Sequence, residues 1–291
     1  MITRRLALVG VAALSIGYGC SPISVLNGLA PSGTYRRERA LAYGAGARRS
    51  LDIYQPVNAA APCPVVVFFY GGSWSSGRRD DYLFVGEALA ARGIVTVIAD
   101  YRLFPEVRYP DFLDDCAAAL AWTLANVSRY GGDARRVVVA GHSAGAYNAA
   151  MLAFDSRWLA ARGTSPDRLA GFAGLAGPYN FLPITGADIK QVFNDPDTPL
   201  DSQPVAHVHD GVPPTLLLAA RNDNFVFPER NTEILAEKLR VVRADLVVRI
   251  YSGVSHTTLL GAFARPLRGL APVLDDFSQF VLARAPVPAT G

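Results

Sequence analysis

The stretch that decides the fold is VVVAGHSAGAYNAAM, residues 137–151, in which a run of β-branched residues gives way to small helix formers. The first part predicts a buried β-strand and the second an α-helix, so the chain must turn sharply between them. Ser143 lies at that turn between Gly141 and Gly145, in the pattern G-x-S-x-G. Glycines permit the close backbone approach that such a turn needs, and the turn exposes the serine hydroxyl. The stretch predicts a nucleophilic serine; the alternative is a small residue in an ordinary corner.

The rest of the chain alternates apolar strands with helices. Runs such as PVVVFFYGG, IVTVIAD and PTLLLAAR are typical of strands covered on both faces, and helices are predicted between them, including 80–92 and 144–154. This alternation predicts an α/β fold with a mostly parallel central sheet, helices on both faces and no large cap domain. Reactive groups then belong at the carboxyl ends of the strands. The one long irregular connection, 181–210, predicts a cover over the active site.

Composition and charge limit the classes of protein to which the chain can belong. About half of the 291 residues are apolar and 18% are charged, which is enough for one large core. The net charge of +3 is too small to predict nucleic-acid binding. Three cysteines do not make a disulfide framework, and Cys63 and Cys116 are predicted to be two buried thiols.

The first twenty residues predict an export signal. Two arginines precede an apolar run, 6–16, that is shorter than the roughly 20 residues needed to span a bilayer. The junction before Cys20 resembles a bacterial lipoprotein signal, which implies lipidation of that cysteine and attachment to a membrane. The expected organisation is a signal over 1–20, a tether over 21–36, a catalytic domain over 37–285 and a flexible tail over 286–291. We expect an exported protein of the cell envelope, lipid-anchored or otherwise periplasmic or secreted.

A serine nucleophile needs a base, and the chain offers four histidines. His256 follows the last predicted strand and is placed to reach across the strand ends. His142, next to the serine, is expected to point away and to pack beside the turn. His207 and His209 lie with Asp210 in the irregular connection; a metal site is one interpretation, and solvated loop histidines are favoured because no third spaced ligand accompanies them.

The base needs an orienting carboxylate, and Asp223 is the aspartate placed for it. It lies two residues beyond the buried strand of PTLLLAAR. The alternatives are placed less well: Asp245 precedes a strand, and four others lie in the irregular connection with no strand to aim them, namely Asp195, Asp197, Asp201 and Asp210. The order Ser143, Asp223, His256 is the one that a G-x-S-x-G turn in an α/β fold uses.

The glycine pair in YGGSW, residues 70–74, follows a predicted strand and can turn its amides inward. With this loop and the GHSAG turn, the chain from about 51 to 282 resembles an α/β-hydrolase of the esterase/lipase type. It is similar to carboxylesterases and feruloyl-esterase-like enzymes with an H-G-G-x-W oxyanion loop. The resemblance extends to ADYRLFPEVRYPDFLDD and RYGGDARRVVVAGHSAG. It implies an oxyanion hole formed by the N–H groups of Gly72, Ser73 and Ala144, with Gly71 shaping the turn beside the substrate.

Two aromatic residues of this loop, Tyr70 and Trp74, also have predicted roles. Tyr70 stands where the family usually has histidine, a residue that braces the loop rather than reacting. Trp74 is predicted to contact substrate, and a buried aromatic that fixes the loop is an equal alternative. Asp100, after its strand, is expected to brace the floor of the site.

These features predict a serine carboxylic-ester hydrolase that acts through an acyl-enzyme on small or short-chain esters. Its partner is a small-molecule ester, and no metal or organic cofactor is implied. The loop GGSW also resembles that of arylformamidases, and DYRLFP with RYGGD resembles isoprenylcysteine methylesterases. A non-catalytic binding protein on a hydrolase scaffold is the alternative from another class.

Overall fold

The core of the fold is one eight-stranded sheet. A computed structural model describes residues 22–60 and 62–288. The strands are β1 Tyr35–Ala42, β2 Ser50–Pro56, β3 Cys63–Phe69, β4 Val95–Ala99, β5 Gly132–His142, β6 Leu169–Leu175, β7 Thr215–Ala220 and β8 Leu246–Tyr251. Their spatial order is β1-β2-β4-β3-β5-β6-β7-β8; the pairs β1–β2 and β2–β4 are antiparallel and the other pairs are parallel. The predicted α/β fold with a mostly parallel sheet is confirmed.

Helices cover the sheet. They are α1 Pro22–Gly28, α2 Leu83–Ala90, α3 Asp111–Asn126, α4 Ala144–Phe154, α5 Ser156–Ala160, α6 Ala187–Val192, α7 Thr232–Val241, α8 His256–Gly261 and α9 Val273–Leu282. Every residue of β3, β4, β6 and β7 is buried, so both faces of the sheet are covered, as the continuous apolar runs predict. The helix predicted over 144–154 is α4. The helix predicted over 80–92 is instead a 3₁₀ turn, Arg79–Tyr82, followed by α2, and Asp80 of that turn pairs with Arg37 and Arg39.

The register aligns the strand ends that carry the site. Phe69, the last residue of β3, lies beside Gly141 of β5, and Gly141 lies beside Gly174 of β6. The last residues of β7 and β8, Ala220 and Tyr251, are also partners. The loops that follow β3, β5, β7 and β8 therefore leave the sheet at one edge, where their side chains can converge.

The N-terminal segment differs from the predicted tether. Residues 1–21, with the predicted signal and Cys20, lie outside the described residues. Within 22–36 the structure has α1 and the start of β1, and α1 packs on the 3₁₀ turn: Asn27 donates to the carbonyls of Asp80 and Asp81 and accepts from the N–H of Phe84 at 3.0–3.1 Å. At the other end, the N–H of Val287 donates to a carbonyl of β5. Among the described residues, no helix has the length and hydropathy to cross a bilayer.

The connection 181–210 is built of short pieces rather than being irregular throughout. It holds α6 and two 3₁₀ turns, Leu200–Ser202 and Pro204–His207. Pieces this short give no sequence periodicity, which is why the pattern does not predict them. The connection lies over the strand ends and adds no large cap domain. Cys63 and Cys116, in the domain below it, are buried free thiols as predicted.

Candidate active site

Ser143 lies between β5 and α4 in a strained backbone conformation. Its φ is 55° and its ψ is −125°, in a region that non-glycine residues seldom adopt. Its N–H donates to the carbonyl of Leu175 at 2.9 Å, which fixes the turn to β6. A Cβ on Gly141 would lie 2.2 Å from the carbonyl oxygen of Gly145, and one on Gly145 would lie 2.0 Å from that of Phe69. Both glycines of the G-x-S-x-G pattern are therefore required by close backbone packing.

His256 and Asp223 complete a hydrogen-bonded chain to the serine. His256 is the first residue of α8, whose start is fixed by a capping box between Ser255 and Thr258. Its Nε2 lies 3.0 Å from the Ser143 Oγ, and its Nδ1 lies 2.7 Å from the Asp223 Oδ2. The structure thus brings together the three residues that the sequence singles out from three separate strand ends.

The surroundings of Asp223 keep it ionised. The side chain is buried, and its Oδ1 accepts from the N–H groups of Phe225 and Val226 at 2.9 Å. Burial alone would raise the pKa of this carboxyl, but the hydrogen bonds from His256 and from the two N–H groups outweigh it and hold the pKa below its usual value. An ionised carboxylate only accepts, so the Nδ1 of His256 is the donor and its Nε2 is free to accept the serine proton.

The loop after β3 lies against the serine. A Cβ on Gly71 would come within 2.9 Å of the Ser143 Cβ. The next three residues have positive φ: 124° at Gly72, 53° at Ser73 and 56° at Trp74. Two consecutive non-glycine residues in this region store backbone strain, which is typical of a functional loop. In the described part of the chain, the N–H groups of Gly72, Ser73 and the first helical residue, Ala144, donate no hydrogen bond to another residue.

Comparisons with known proteins agree with this geometry. A family model described as BD-FAE matches residues 51–166, which hold the loop after β3 and the serine turn. An esterase from Pyrobaculum calidifontis superposes with a TM-score of 0.71 over 90% of both chains, at 24% identity. The chain has the α/β-hydrolase fold.

Two curated relatives are similar to this chain over most of its length. Isoprenylcysteine alpha-carbonyl methylesterase ICME of Arabidopsis thaliana is 29% identical over 259 residues, which are 82% of this chain and 60% of that protein. Esterase LipC of Mycobacterium tuberculosis is 29% identical over 233 residues, which are 73% of this chain and 57% of that protein. The chain therefore spans less than two thirds of the length of these relatives.

Tyr70 anchors the glycine loop at the position where the H-G-G-x-W pattern has histidine. Its hydroxyl donates to Asp100 Oδ1 at 2.9 Å and accepts from Arg48 Nη2 at 2.8 Å. Its ring stacks on Tyr101, whose hydroxyl donates to the Tyr70 carbonyl. Arg48 also donates to the carbonyls of Gly77 and Tyr101, so one guanidinium holds both ends of the loop. Sequence reasoning misses Arg48 because nothing in GARRS marks it.

His142 supports His256 through a hydrogen bond to its main chain. Its Nε2 lies 2.9 Å from the carbonyl oxygen of His256, and the two rings are 4.8 Å apart between centroids. A carbonyl only accepts, so the His142 Nε2 carries a proton. Burial, together with the nearby His256, lowers the pKa of His142 to about 3. His142 is therefore a neutral brace, packed beside the turn as expected.

A cavity of about 510 Å³ opens onto the Ser143 hydroxyl and is the candidate substrate pocket. Trp74 fits both interpretations, a residue that contacts substrate and a buried aromatic that fixes the loop. It lines this cavity, and it is also 2% exposed with its Nε1 donating to Asn148 Oδ1 at 2.9 Å. Most of the other lining residues were not singled out by the sequence, because their segments carry no motif. They come from the connection 181–210 and from the loop before α7: Phe181, Ile184, Thr185, Ile189, Phe225, Val226, Phe227 and Arg230.

The histidines of the connection lie apart from this cavity. The Nε2 of His207 lies 2.6 Å from the carbonyl oxygen of Asp201, and His209 is exposed. Within the described ranges, no cluster of three or more histidine, cysteine or acidic side chains is arranged to hold a metal ion.

Proposed function

We propose that this hydrolase cleaves carboxylic esters through an acyl-enzyme on Ser143. The observation that carries the proposal is the continuous hydrogen-bonded chain from Asp223 through His256 to the serine at the base of an open, mainly apolar cavity. A serine hydroxyl becomes a useful nucleophile only when an oriented base takes its proton, and this chain supplies one. The names of the relatives, esterase and methylesterase, support the same reaction class.

The mechanism follows from the positions of the donors. His256 Nε2 accepts the proton as the Ser143 Oγ attacks the ester carbonyl, and Asp223 stabilises the resulting imidazolium. The oxyanion faces the free N–H groups of Gly72, Ser73 and Ala144, at the positive end of α4. Collapse of the tetrahedral intermediate releases the alcohol, which takes the proton from His256. Water then attacks the acyl-enzyme by the same steps and regenerates the serine.

Replacement of the nucleophile tests the proposal. We expect Ser143→Ala to lower kcat for hydrolysis of 4-nitrophenyl butyrate by roughly 10⁴-fold or more, because the attacking oxygen is lost. The exposed Ser128→Ala is the matched control and is expected to keep wild-type activity. A fluorophosphonate probe should label wild-type protein at Ser143 and leave the alanine variant unlabelled. Near-wild-type hydrolysis by Ser143→Ala, or a wild-type serine that does not react, would favour the non-catalytic binding protein instead.

A methyl ester of a prenylated cysteine is a second candidate substrate class. The observation that favours it is the likeness to a plant isoprenylcysteine methylesterase, together with apolar cavity walls suited to a hydrocarbon chain. An aryl formamide passes through the same oxyanion, so the catalytic residues do not separate these substrates. Parallel assays on a prenylcysteine methyl ester, an aryl formamide, a feruloyl ester and C2 to C12 acyl esters rank them by kcat/KM. A prenylcysteine ester that is cleaved no faster than short acyl esters counts against this candidate.

We also propose that the protein is exported and held at a membrane by a lipid on Cys20. The support is the sequence of the first twenty residues, with its arginines, apolar run and cysteine junction. Expression of Cys20→Ser in a bacterial host, followed by fractionation, tests it. We expect the variant to leave the membrane fraction or to accumulate with its signal uncleaved, whereas Cys63→Ser, at a buried free thiol, should fractionate as the wild type. Unchanged membrane association of the Cys20 variant would contradict the anchor.

A further inference from the structure

The candidate substrate pocket has two apolar walls. One is formed by Phe181, Ile184 and Ile189 of the connection 181–210. The other is formed by Phe225 and Phe227, which are 80% and 54% exposed. Large aromatic side chains that are left this exposed beside a cavity commonly contact a ligand. The walls are suited to a small hydrocarbon or aromatic group.

Arg230 is a cation at the rim of this apolar pocket. Its side chain is half-buried, and its Nη2 makes one hydrogen bond, at 3.3 Å, to the carbonyl oxygen of Pro183. No carboxylate in the described residues lies within ion-pair distance of it. The nearby acidic residue Glu233 forms an ion pair with Arg221 at 3.6 Å. Glu229, the exposed residue before Arg230 in the chain, forms no ion pair with Arg230. Most of the five N–H donors of this guanidinium are therefore available.

No other described residue of the pocket lining carries a negative charge that could pair with Arg230. Among the described residues that line the cavity, none is aspartate or glutamate. The carboxylate of Asp223 lies behind the His256 ring, where its oxygens are already bound by that ring and by two N–H groups. A guanidinium next to apolar walls binds an anion more strongly than one in open water, because the lower local polarity weakens screening.

We propose that Arg230 binds a carboxylate of the substrate, so that the preferred esters are organic anions with a small apolar body and a free carboxylate. The inference rests on the proposed function, since it assigns a substrate class to the same pocket. The carboxylate belongs either to the acyl part or to the alcohol part of the ester, and both sources present the same planar anion to the guanidinium.

Two matched pairs of esters test the assignment. In the first, 4-nitrophenyl hydrogen glutarate is compared with 4-nitrophenyl valerate, which replaces a carboxylate in the acyl part by a methyl group. In the second, 4-carboxyphenyl butyrate is compared with phenyl butyrate, which changes the alcohol part. The measurement is the ratio of kcat/KM for the anionic ester to that for the neutral ester, at low and high salt.

In Arg230→Gln, we expect this ratio to fall by about tenfold or more for one pair, mainly through the KM of the anionic ester. The pair affected identifies the side of the ester that carries the anion. Arg230→Lys keeps the charge and should retain most of the preference. The exposed Arg240→Gln is the control for net charge and should leave both ratios unchanged. In the wild type the ratio should decrease as salt is added.

The outcomes separate this inference from the proposed function. Ratios that change less than twofold in Arg230→Gln, with neutral esters still cleaved, would overturn the inference and leave the esterase proposal standing. Absence of hydrolysis of all four esters by the wild type would overturn both. Normal cleavage of the neutral esters by the variant also shows that it is folded.

Discussion

His142 is the residue that links the serine turn to the general base. It follows Gly141 in β5, its Nε2–H donates to the main chain of His256, and it is 7% exposed. Burial lowers its pKa to about 3, so the ring stays neutral through the neutral and mildly acidic range. A neutral His142 ring, with its centroid 4.8 Å from that of the His256 ring, places no second positive charge beside the imidazolium that the proposed mechanism forms on His256.

The low pKa of His142 predicts how stability depends on pH. The unfolded chain binds a proton at this residue below about pH 6.5, whereas the folded protein binds it only near pH 3. Its contribution to stability is therefore complete above pH 6.5 and is lost as the pH falls toward 3. Between pH 7.5 and 4.5, the free energy of unfolding of the wild type should fall relative to that of His142→Gln by about 3 kcal/mol.

Urea unfolding of both proteins at the two pH values measures this difference. His209→Gln removes an exposed histidine and serves as the control, because it should follow the pH dependence of the wild type. A gap between the wild type and His142→Gln that does not change with pH would contradict the prediction.

Among the structural elements, the joint between β5 and α4 sets the geometry of the site. The N-terminus of α4 lies against the end of β3, so closely that Gly145 touches the main chain of Phe69. The same contact places the glycine loop, which follows β3, beside the serine. The strand register and the glycine contacts therefore position the nucleophile and the oxyanion donors together.

Gly145→Ala is expected to break this joint. The added methyl would lie 2.0 Å from a main-chain oxygen that cannot move without displacing β3. We expect a loss of more than about 4 kcal/mol in the free energy of unfolding, or failure to accumulate folded protein, together with loss of ester hydrolysis. Gly269→Ala, where a Cβ meets nothing within 4 Å, should change stability by less than about 0.5 kcal/mol. Chemical denaturation compares the free energies of unfolding of the two variants. A Gly145→Ala variant as stable as the wild type would show that α4 does not pack closely against the end of β3.

At the scale of the whole molecule, buried carboxylates paired with arginines tie distant segments together. Asp52 of β2 pairs with Arg37 of β1 and with Arg79 in the 3₁₀ turn, and Arg79 also pairs with Asp100 after β4. Since Asp100 accepts the hydroxyl of Tyr70, the network reaches the glycine loop of the site. Buried charges are tolerated when they are paired and hydrogen-bonded in this way. The network therefore connects the strands β1 and β2 to the glycine loop of the site.

The N-terminal helix is expected to contribute to the stability of the domain. Asn27 is half-buried and makes three hydrogen bonds to the main chain of the 3₁₀ turn and α2. Asn27→Ala leaves those groups unpaired and should lower the free energy of unfolding by about 1–3 kcal/mol. Asn58→Ala, at an exposed position, is the control and should have little effect. Thermal and urea unfolding measure these free energies. If Asn27→Ala has the same free energy of unfolding as the wild type, residues 22–28 behave as the tether that the sequence predicts.

The sequence by itself determines the sheet, the serine turn and the order of the three candidate catalytic residues. It does so because these depend on local patterns: apolar runs of strand length, glycines at fixed spacing, and polar residues just past strand ends. Only the tertiary structure decides what surrounds them. Arg48, His142 and Arg230 are placed by contacts with residues far away in the chain, and such contacts leave no periodicity or motif for a sequence pattern to detect.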